Sequence, residues 1–468
     1  MQLVITFKEK FILFIFLVLM VLLEVKFLTM HKHAIVVIVL FNIGIFTVLF
    51  FSLSIKNLYT ALIIFNLIPL LYFNLPFHYS LRAIIIQDIP FLLLFGVFFF
   101  KSLSQKGVFR IELNYVELPF VIFGFYIFFM TVLGFFNNHT SLYIADEFWH
   151  SIYYLGFFVL STLLKQKKEY EYILYFLLIL SVLISIELVF FSFYTDIERF
   201  VIFQSYILPL FFSIAISIFL FKNLNTTRKI LFLTMSIIIG VGIFITLTRT
   251  VWVATLISLF ILVAIYLVKK RNISKKLIFI ILLLFMLPIL FMGDAPKSKS
   301  ANTQSYNDVE YRTQSVVNPT EDISFLMRIE LTIYIIQEFL ESPIIGKGFG
   351  DAVEYKILGI TGVPIYYPDN SWLFFMWKGG IVGLLIFGWI YFRILRTSWN
   401  IAANTQDLFS KSIMYGIFAG LIGLAFLGLF NAVLIKYKTT LILPIIFAYV
   451  NFEYNRLLEG NKRISPND

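Results

Sequence analysis

Long apolar runs recur along this chain and constrain its fold more than any other feature. Runs of spanning length occur near residues 11–29, 34–55, 57–74, 83–100, 117–136, 148–164, 172–194, 200–221, 229–247, 250–268, 276–292, 371–392, 411–431 and 438–454. About 20 apolar residues suffice for a helix to cross a membrane. Because 60% of the side chains are hydrophobic and only 14% are charged, a soluble fold is excluded. The sequence predicts an all-α, polytopic membrane bundle of about 12–14 helices.

Basic residues gather in alternate connections between these runs. The clusters comprise Lys101, Lys106 and Arg110; Lys165, Lys167 and Lys168; Lys222, Arg228 and Lys229; Lys269, Lys270, Arg271, Lys275 and Lys276; and Arg393, Arg396 and Lys411. Such clusters mark cytoplasmic connections. The formal net charge of +10 therefore reflects membrane topology, and no nucleic-acid partner is expected. We expect a plasma (inner) membrane protein with both termini in the cytoplasm.

The predicted organisation has three parts. Residues 1–292 hold about eleven transmembrane helices, 293–370 form one large extracytoplasmic loop, and 371–468 hold about three more helices and a short cytoplasmic tail. Within the loop, an apolar stripe at helical spacing runs over 324–342, at Phe325, Ile329, Ile333, Ile336 and Leu340, and Pro343 ends that pattern. The charges on this amphipathic helix make a membrane crossing too costly, so it should lie against the outer face of the bundle.

Two arginines on the outer side are candidate anion ligands. Arg249 lies in a short outer turn between two apolar runs, and Arg328 lies on the amphipathic helix. Each has a structural alternative, because Arg249 could cap a helical hairpin and Arg328 could occupy a solvated helix face. A guanidinium also presents a planar fork of donors that matches phosphate. Two such residues beside an apolar cavity favour a shared anion site over either structural role.

Two carboxylates inside apolar runs, Asp88 and Glu187, also lie nearer the outer surface by this topology. Charged side chains within a membrane are costly and usually face a polar cavity or a partner. Pairing with a neighbouring helix and a role in substrate binding both account for them. Together with Arg249 they indicate a water-accessible pocket that opens outward.

Several other sequence patterns give only weak evidence for a nucleotide or metal site. The glycines of Gly346–Gly350 lack the spacing of a nucleotide-binding loop and are more typical of a tight turn after a helix. His31 and His33 lack a third metal ligand nearby in the sequence. The chain contains no cysteine, so disulfides and thiolate nucleophiles are excluded. No metal and no cofactor are expected.

Three motifs, taken in order, resemble the O-antigen ligase family and its lipopolysaccharide and exopolysaccharide polymerase relatives. They are TLTRTVWVA at 246–254, RIELTIYIIQEFLESPIIGKGFG at 328–350 and DNSWLFFMWKGGIVGLL at 369–385. The third departs from the family pattern, because Asp369 stands where ligases commonly carry His before the Asn.

This resemblance implies an all-helical, metal-independent membrane glycosyltransferase that works at the outer face of the plasma membrane. The implied donor is a glycan on polyprenyl (undecaprenyl) diphosphate, and the acceptor is the hydroxyl of another lipid-linked repeat unit, of lipid A core or of a protein. Arg249 and Arg328 would hold the diphosphate. Asp369 would act as general base, with Asn370 orienting it, although Asp-Asn-Ser before an apolar run is also typical of a helix cap.

The main alternative of a different class is a flippase for lipid-linked oligosaccharides, which can have a similar number of spans. A flippase needs no large outer loop with an amphipathic helix, and its charged residues should line a path from both sides. Here the membrane-embedded acids are biased outward, which favours the enzyme. Membrane lipids, and other membrane proteins of polysaccharide assembly, are the further partners expected.

Overall fold

The structure, a computed structural model, describes residues 114–194, 203–222, 224–246, 248–269, 323–357 and 360–464. Its helices are α1 Glu117–Phe136, α2 Ser141–Ile152, α3 Gly156–Leu163, α4 Lys167–Tyr194, α5 Leu208–Phe221, α6 Thr226–Ile245, α7 Arg249–Lys269, α8 Ile323–Glu341, α9 Ser371–Asn404, α10 Leu408–Leu427 and α11 Tyr437–Ile464. The predicted runs before residue 114 and at 276–292 lie outside the described residues, as do Asp88, His31 and His33.

Six of these helices are long and apolar enough to cross a membrane. They are α1, the Lys167–Val189 part of α4, α6, α7, α9 and α10. Their length matches the hydrocarbon core of a bilayer, and the helix satisfies its own backbone groups there. The prediction of a helical, polytopic membrane protein is confirmed.

The centre of the bundle is α5, which is buried along most of its length against α6, α7 and α10. Small residues on α10 allow this close approach. A β-carbon at Gly416 would lie 2.6 Å from the α-carbon of Ile214, and one at Gly420 would lie 2.6 Å from a methyl carbon of Leu210. Close backbone approach at small residues is how membrane helices gain packing energy, because lipid offers no hydrophobic advantage.

Two local features depart from the expected all-helical pattern. A short antiparallel hairpin, β1 Val353–Ile357 paired with β2 Ile360–Ile365, lies between α8 and α9. In α9 the helix is interrupted at Gly380, whose φ of 61° and ψ of −162° are not helical. Both features lie in or beside the 323–370 segment.

The bundle has two chemically different ends. At one of them, the basic end, Lys167 pairs with Asp407, and the ammonium of Lys222 lies 3.9 Å from the ring centre of Phe409. This is the end that carries the predicted cytoplasmic clusters of α4, α6 and α10. The opposite end, the site end, carries the α1–α2 turn, the 323–370 segment and the loop between α10 and α11.

The amphipathic helix is present as α8, and it ends before Pro343 as the sequence indicates. It packs against α9 and β1, but through a different face from the apolar stripe that the spacing singled out. Leu331 and Ile335 are buried against Trp377, whereas Ile329 and Ile333 of the stripe are exposed. The contact places Arg328 one turn before Leu331 on the buried face, so its side chain is aimed at the N-terminus of α9.

Candidate active site

Arg328 and Asp369 form an ion pair at the site end. The distance from Arg328 Nε to Asp369 Oδ2 is 3.2 Å, and the side chains are 40% and 56% exposed. Residues 41 positions apart are thus joined by the docking of α8 on α9. A half-exposed pair of this kind contributes little to stability, so its guanidinium is accessible to a competing anion.

Asn370, and not Asp369, caps the helix that follows. Its side-chain oxygen accepts hydrogen bonds from the backbone N–H groups of Trp372 at 2.9 Å and Leu373 at 3.0 Å. This is the standard N-cap arrangement, in which one side chain satisfies donors of the first helical turn. The capping role suggested for the Asp-Asn-Ser sequence therefore belongs to Asn370, and the Asp369 carboxylate is directed elsewhere, towards Arg328.

The loop between α10 and α11, residues 428–436, connects the start of α7, which carries Arg249, to the start of α9, which follows Asp369. Ser371 at the start of α9 donates a hydrogen bond to the backbone oxygen of Asn431 at 2.8 Å and accepts one from the N–H of Leu434 at 3.0 Å. The Asn431 amide in turn donates to the hydroxyl of Thr250 at 2.7 Å. Since Arg249 precedes Thr250 at the first position of α7, the loop fixes Arg249 and Asp369 at the same end of the bundle.

Glu187 is half-buried on α4, near the same end. Ser185, two residues earlier, packs closely on Gly242 of α6, and α6 ends at Ile245, just before the turn that carries Arg249. The structure thus brings together Arg328, Asp369 and Asn370, and it places Arg249 and Glu187 at the same end. Asp88 lies outside the described residues.

The glycine-rich segment after α8 forms the tight turn that the sequence indicated. Gly346, Gly348 and Gly350 have φ values of 72°, 87° and 79°, which only glycine adopts without strain. The N–H of Gly348 donates to the backbone oxygen of Lys378 at 2.9 Å, and the N–H of Phe349 donates to that of Met130 at 3.1 Å. The segment therefore lies between α1 and α9 as a wedge, in contact with backbone on both sides.

A fully buried ion pair anchors this wedge. Glu147 Oε1 on α2 lies 2.8 Å from Lys378 Nζ on α9, and both side chains are 0% exposed. Each charge has a further partner, because the N–H of Gly350 donates to Glu147 Oε2 at 2.8 Å and Lys378 donates to the backbone oxygen of Asp351 at 2.5 Å. Buried charges persist only when paired and hydrogen-bonded in this way.

The Asp351 side chain extends the same network. Its Oδ2 accepts a hydrogen bond from the indole N–H of Trp377 at 2.8 Å, and its Oδ1 lies 3.6 Å from His139 Nε2. Sequence reasoning missed Lys378 and Glu147. Lys378 interrupts an apolar run, which is the signal that singled out Asp88 and Glu187, and the same reasoning applies to it.

A third polar group lies on α2 beside the segment that leads to Asp369. The hydroxyl of Tyr367 donates to Asp146 Oδ2 at 2.6 Å and lies 3.4 Å from His150 Nδ1. Tyr367 also stacks on Phe374 of α9, with ring centres 5.8 Å apart. These contacts hold residues 366–368 against α2 and α9 and so position Asp369. Within the described ranges, no group of three His, Asp or Glu side chains is placed to hold a metal ion.

The central part of the chain is similar to a known protein family. Residues 233–388 match a family whose description is O-antigen ligase, while no curated protein matches the chain. The matched region contains Arg249, Arg328, Asp369 and Lys378, so it covers the ion pair and most of the site end. This family indicates a membrane enzyme of the glycan-transfer type. The resemblance to the O-antigen ligase family seen in the motifs is thereby confirmed over residues 233–388.

Proposed function

We propose that this protein transfers a glycan from polyprenyl (undecaprenyl) diphosphate to an acceptor hydroxyl at the outer face of the plasma membrane. The ion pair between Arg328 and Asp369 carries the proposal, because it joins a phosphate-binding group to a proton acceptor within one site. The match of residues 233–388 to the O-antigen ligase family supports glycan transfer between a lipid-linked donor and a glycan acceptor in general.

The two arginines hold the leaving group in this mechanism. Arg328 and Arg249 bind the diphosphate through charge-assisted hydrogen bonds, which become stronger as negative charge develops on the departing phosphate. Both guanidiniums retain their charge at any physiological pH. The 428–436 loop supports this arrangement, because it ties the first turn of α7 to the first turn of α9.

Asp369 is the general base. The acceptor oxygen attacks the anomeric carbon of the donor sugar, the bond from that carbon to the phosphate oxygen breaks, and the hydroxyl proton passes to the Asp369 carboxylate. The lipid diphosphate leaves with the bonding electron pair. Because Asn370 supplies the helix cap, Asp369 has no capping duty that would keep it from the acceptor. Binding of the diphosphate to Arg328 would release the carboxylate from its ion pair.

The site end is proposed to face the periplasm or cell exterior. The support is the accumulation of Lys167, Lys222 and Arg228 at the opposite end, as expected of cytoplasmic connections. Nucleotide sugars are not available outside, whereas lipid-linked donors are, so this orientation agrees with the proposed donor.

The test is a transfer assay with purified protein and a lipid-diphosphate glycan. A ladder of products indicates a polymerase, which requires the donor glycan itself as acceptor. A single transfer to lipid A core or to a protein indicates a ligase or a protein O-oligosaccharyltransferase. No reaction, with movement of the intact donor across a vesicle membrane, would contradict the enzyme and support a flippase.

Orientation has its own test, since the chain contains no cysteine. Ser141→Cys at the site end and Gln166→Cys at the basic end are both at exposed positions. A membrane-impermeant thiol reagent applied to intact cells or spheroplasts should label the first and not the second. Labelling of only the Gln166→Cys variant would invert the proposed topology.

A further inference from the structure

The apolar stripe of α8 is exposed in the described parts of the chain. Its side chains are between 39% and 65% exposed and lie on one side of the helix, at Ile329, Ile333, Ile336 and Leu340. The helix is not among those that are apolar enough to cross a membrane, because it also carries charged residues. A contiguous apolar surface outside the spanning helices marks an interaction site.

One end of the stripe lies beside the exposed ion pair of the site. Ile329 is the residue that follows Arg328, and at 100° per residue Ile329 and Leu331 flank Arg328 on opposite sides of the helix. Leu331 belongs to the buried face and Ile329 to the stripe. Since Arg328 meets Asp369 in a half-exposed contact, an anion bound at the guanidinium has the stripe directly next to it.

The other end of the stripe meets the lipid-facing surface of α9. Where α9 is interrupted, the N–H of Ile381 donates to the backbone oxygen of Pro343 at 2.8 Å, and the N–H of Val382 donates to that of Ile344 at 3.3 Å. The side chains of Ile344, Ile381 and Val382 are exposed. Because α9 is a spanning helix, its exposed apolar side chains face acyl chains. The stripe and these three residues form one apolar track, which leads from Arg328 to the bilayer.

We propose that the apolar track binds the isoprenoid chain of the lipid donor, with the diphosphate at Arg328. This inference rests on the proposed function, since it assigns a surface to the same lipid-diphosphate donor. A donor whose headgroup reaches Arg328 lifts the first part of its chain out of the hydrocarbon region. The track covers that part, and both apolar surfaces are removed from water, which is the favourable term.

The competing occupant of the stripe is the lipid of the outer leaflet, because an amphipathic helix can also lie in the membrane interface. The two occupants differ in how binding depends on the length of the donor chain. Leu340 lies twelve residues beyond Arg328, about 18 Å along the helix at about 1.5 Å per residue. A long isoprenoid chain can reach this position, whereas the chain of geranyl diphosphate ends short of it.

The experiment measures equilibrium binding of undecaprenyl diphosphate and of geranyl diphosphate, both without a glycan, to the full chain in phosphatidylcholine nanodiscs. Ile336→Ser/Leu340→Ser should weaken binding of undecaprenyl diphosphate about tenfold, since it removes two partly buried contacts with the chain. Binding of geranyl diphosphate should stay unchanged. This second result also shows that the variant is folded and that its headgroup site is intact.

Ile230→Ser/Leu231→Ser is the matched control. It also replaces two exposed apolar side chains, but these lie at the start of α6, at the basic end. Binding of both compounds should equal that of wild type. Arg328→Gln is the second reference, because it removes the headgroup ligand and should weaken binding of both compounds.

Several outcomes would overturn the track and leave the proposed function standing. One is wild-type affinity of Ile336→Ser/Leu340→Ser for undecaprenyl diphosphate while Arg328→Gln binds weakly, which would assign the stripe to outer-leaflet lipid. If the oligomeric mass of that variant also changes, the stripe is a contact with a second copy. Equal weakening of both compounds, or the same weakening in the control variant, would overturn the track as well. Absence of binding by the wild-type protein would instead reject the donor class itself.

Discussion

Two ion pairs at the site end each join an acidic residue to a basic one, but they differ in solvent exposure and in the number of further hydrogen bonds. Glu147 and Lys378 are completely buried, and each has a further hydrogen-bond partner. Arg328 and Asp369 are 40% and 56% exposed and meet through a single contact. The first pair fastens the glycine-rich wedge to α2 and α9, while the second faces solvent on the surface of the same assembly.

The comparison separates charges that support the fold from charges that are available to a ligand. A buried pair whose two members each have a further hydrogen-bond partner cannot exchange partners without the loss of several kcal/mol. An exposed pair is worth only about 0–1 kcal/mol and can be displaced by a better anion. Mutations at the two pairs should therefore have opposite signatures, with stability affected at one and activity at the other.

The largest effect is expected from Lys378→Met. It leaves the Glu147 carboxylate buried without its counter-ion, and loss of one member of such a pair costs about 3–5 kcal/mol of folding free energy. Thermal unfolding in detergent should show a large decrease in the midpoint. The double variant Glu147→Gln/Lys378→Met should recover part of that loss, since it removes the unpaired charge. If the single Lys378→Met variant is as stable as wild type, the buried pair does not support the fold and the distinction between the two ion pairs fails.

Arg328→Lys should reduce transfer while leaving stability nearly unchanged. A lysine keeps the charge but loses the forked geometry, and the loss of one such donor costs about 2.7–4 kcal/mol of transition-state stabilisation. We expect Arg249→Lys to behave in the same way. Arg396→Lys is the control, because Arg396 is exposed on the part of α9 that belongs to the basic end. Normal turnover in both site variants would indicate that these arginines have structural roles only.

Asp369→Asn should give a folded protein that transfers at least about a hundredfold more slowly. An amide cannot take the acceptor proton, and general base catalysis typically contributes at least this much. The helix start should be unaffected, because its cap is Asn370. The measurements are initial rates together with the unfolding midpoint. Full product formation by this variant would remove Asp369 from the chemistry.

Asn370→Ala should lower stability by about 1 kcal/mol, the usual cost of a lost N-cap. Asn370→Ser should restore most of the loss, since a hydroxyl can accept the same bonds from Trp372 and Leu373. Chemical denaturation of the two variants in detergent provides the comparison. Equal stability of the Ala variant and wild type would mean that the capping bonds contribute nothing.

The lengths of the apolar runs predicted the membrane helices well, because hydrophobic length decides whether a helix can cross a membrane. The α8 helix, its end before Pro343 and the tight turn at Gly346–Gly350 also follow from local rules. Three structural details were not predicted. The β1–β2 hairpin and the break at Gly380 depend on the docking of the outer segment. The buried face of α8 is not the apolar stripe, because a helix with apolar residues on several sides can pack through any of them.

The sequence by itself determined the class of protein, the two arginines and the position of Asp369, because each follows from composition or from a motif along the chain. Only the tertiary structure decided which contacts these residues make. It paired Arg328 with Asp369 and gave the helix cap to Asn370. Partners far apart in the chain meet because helices pack in three dimensions, and burial then determines which of their charges remain accessible to a substrate.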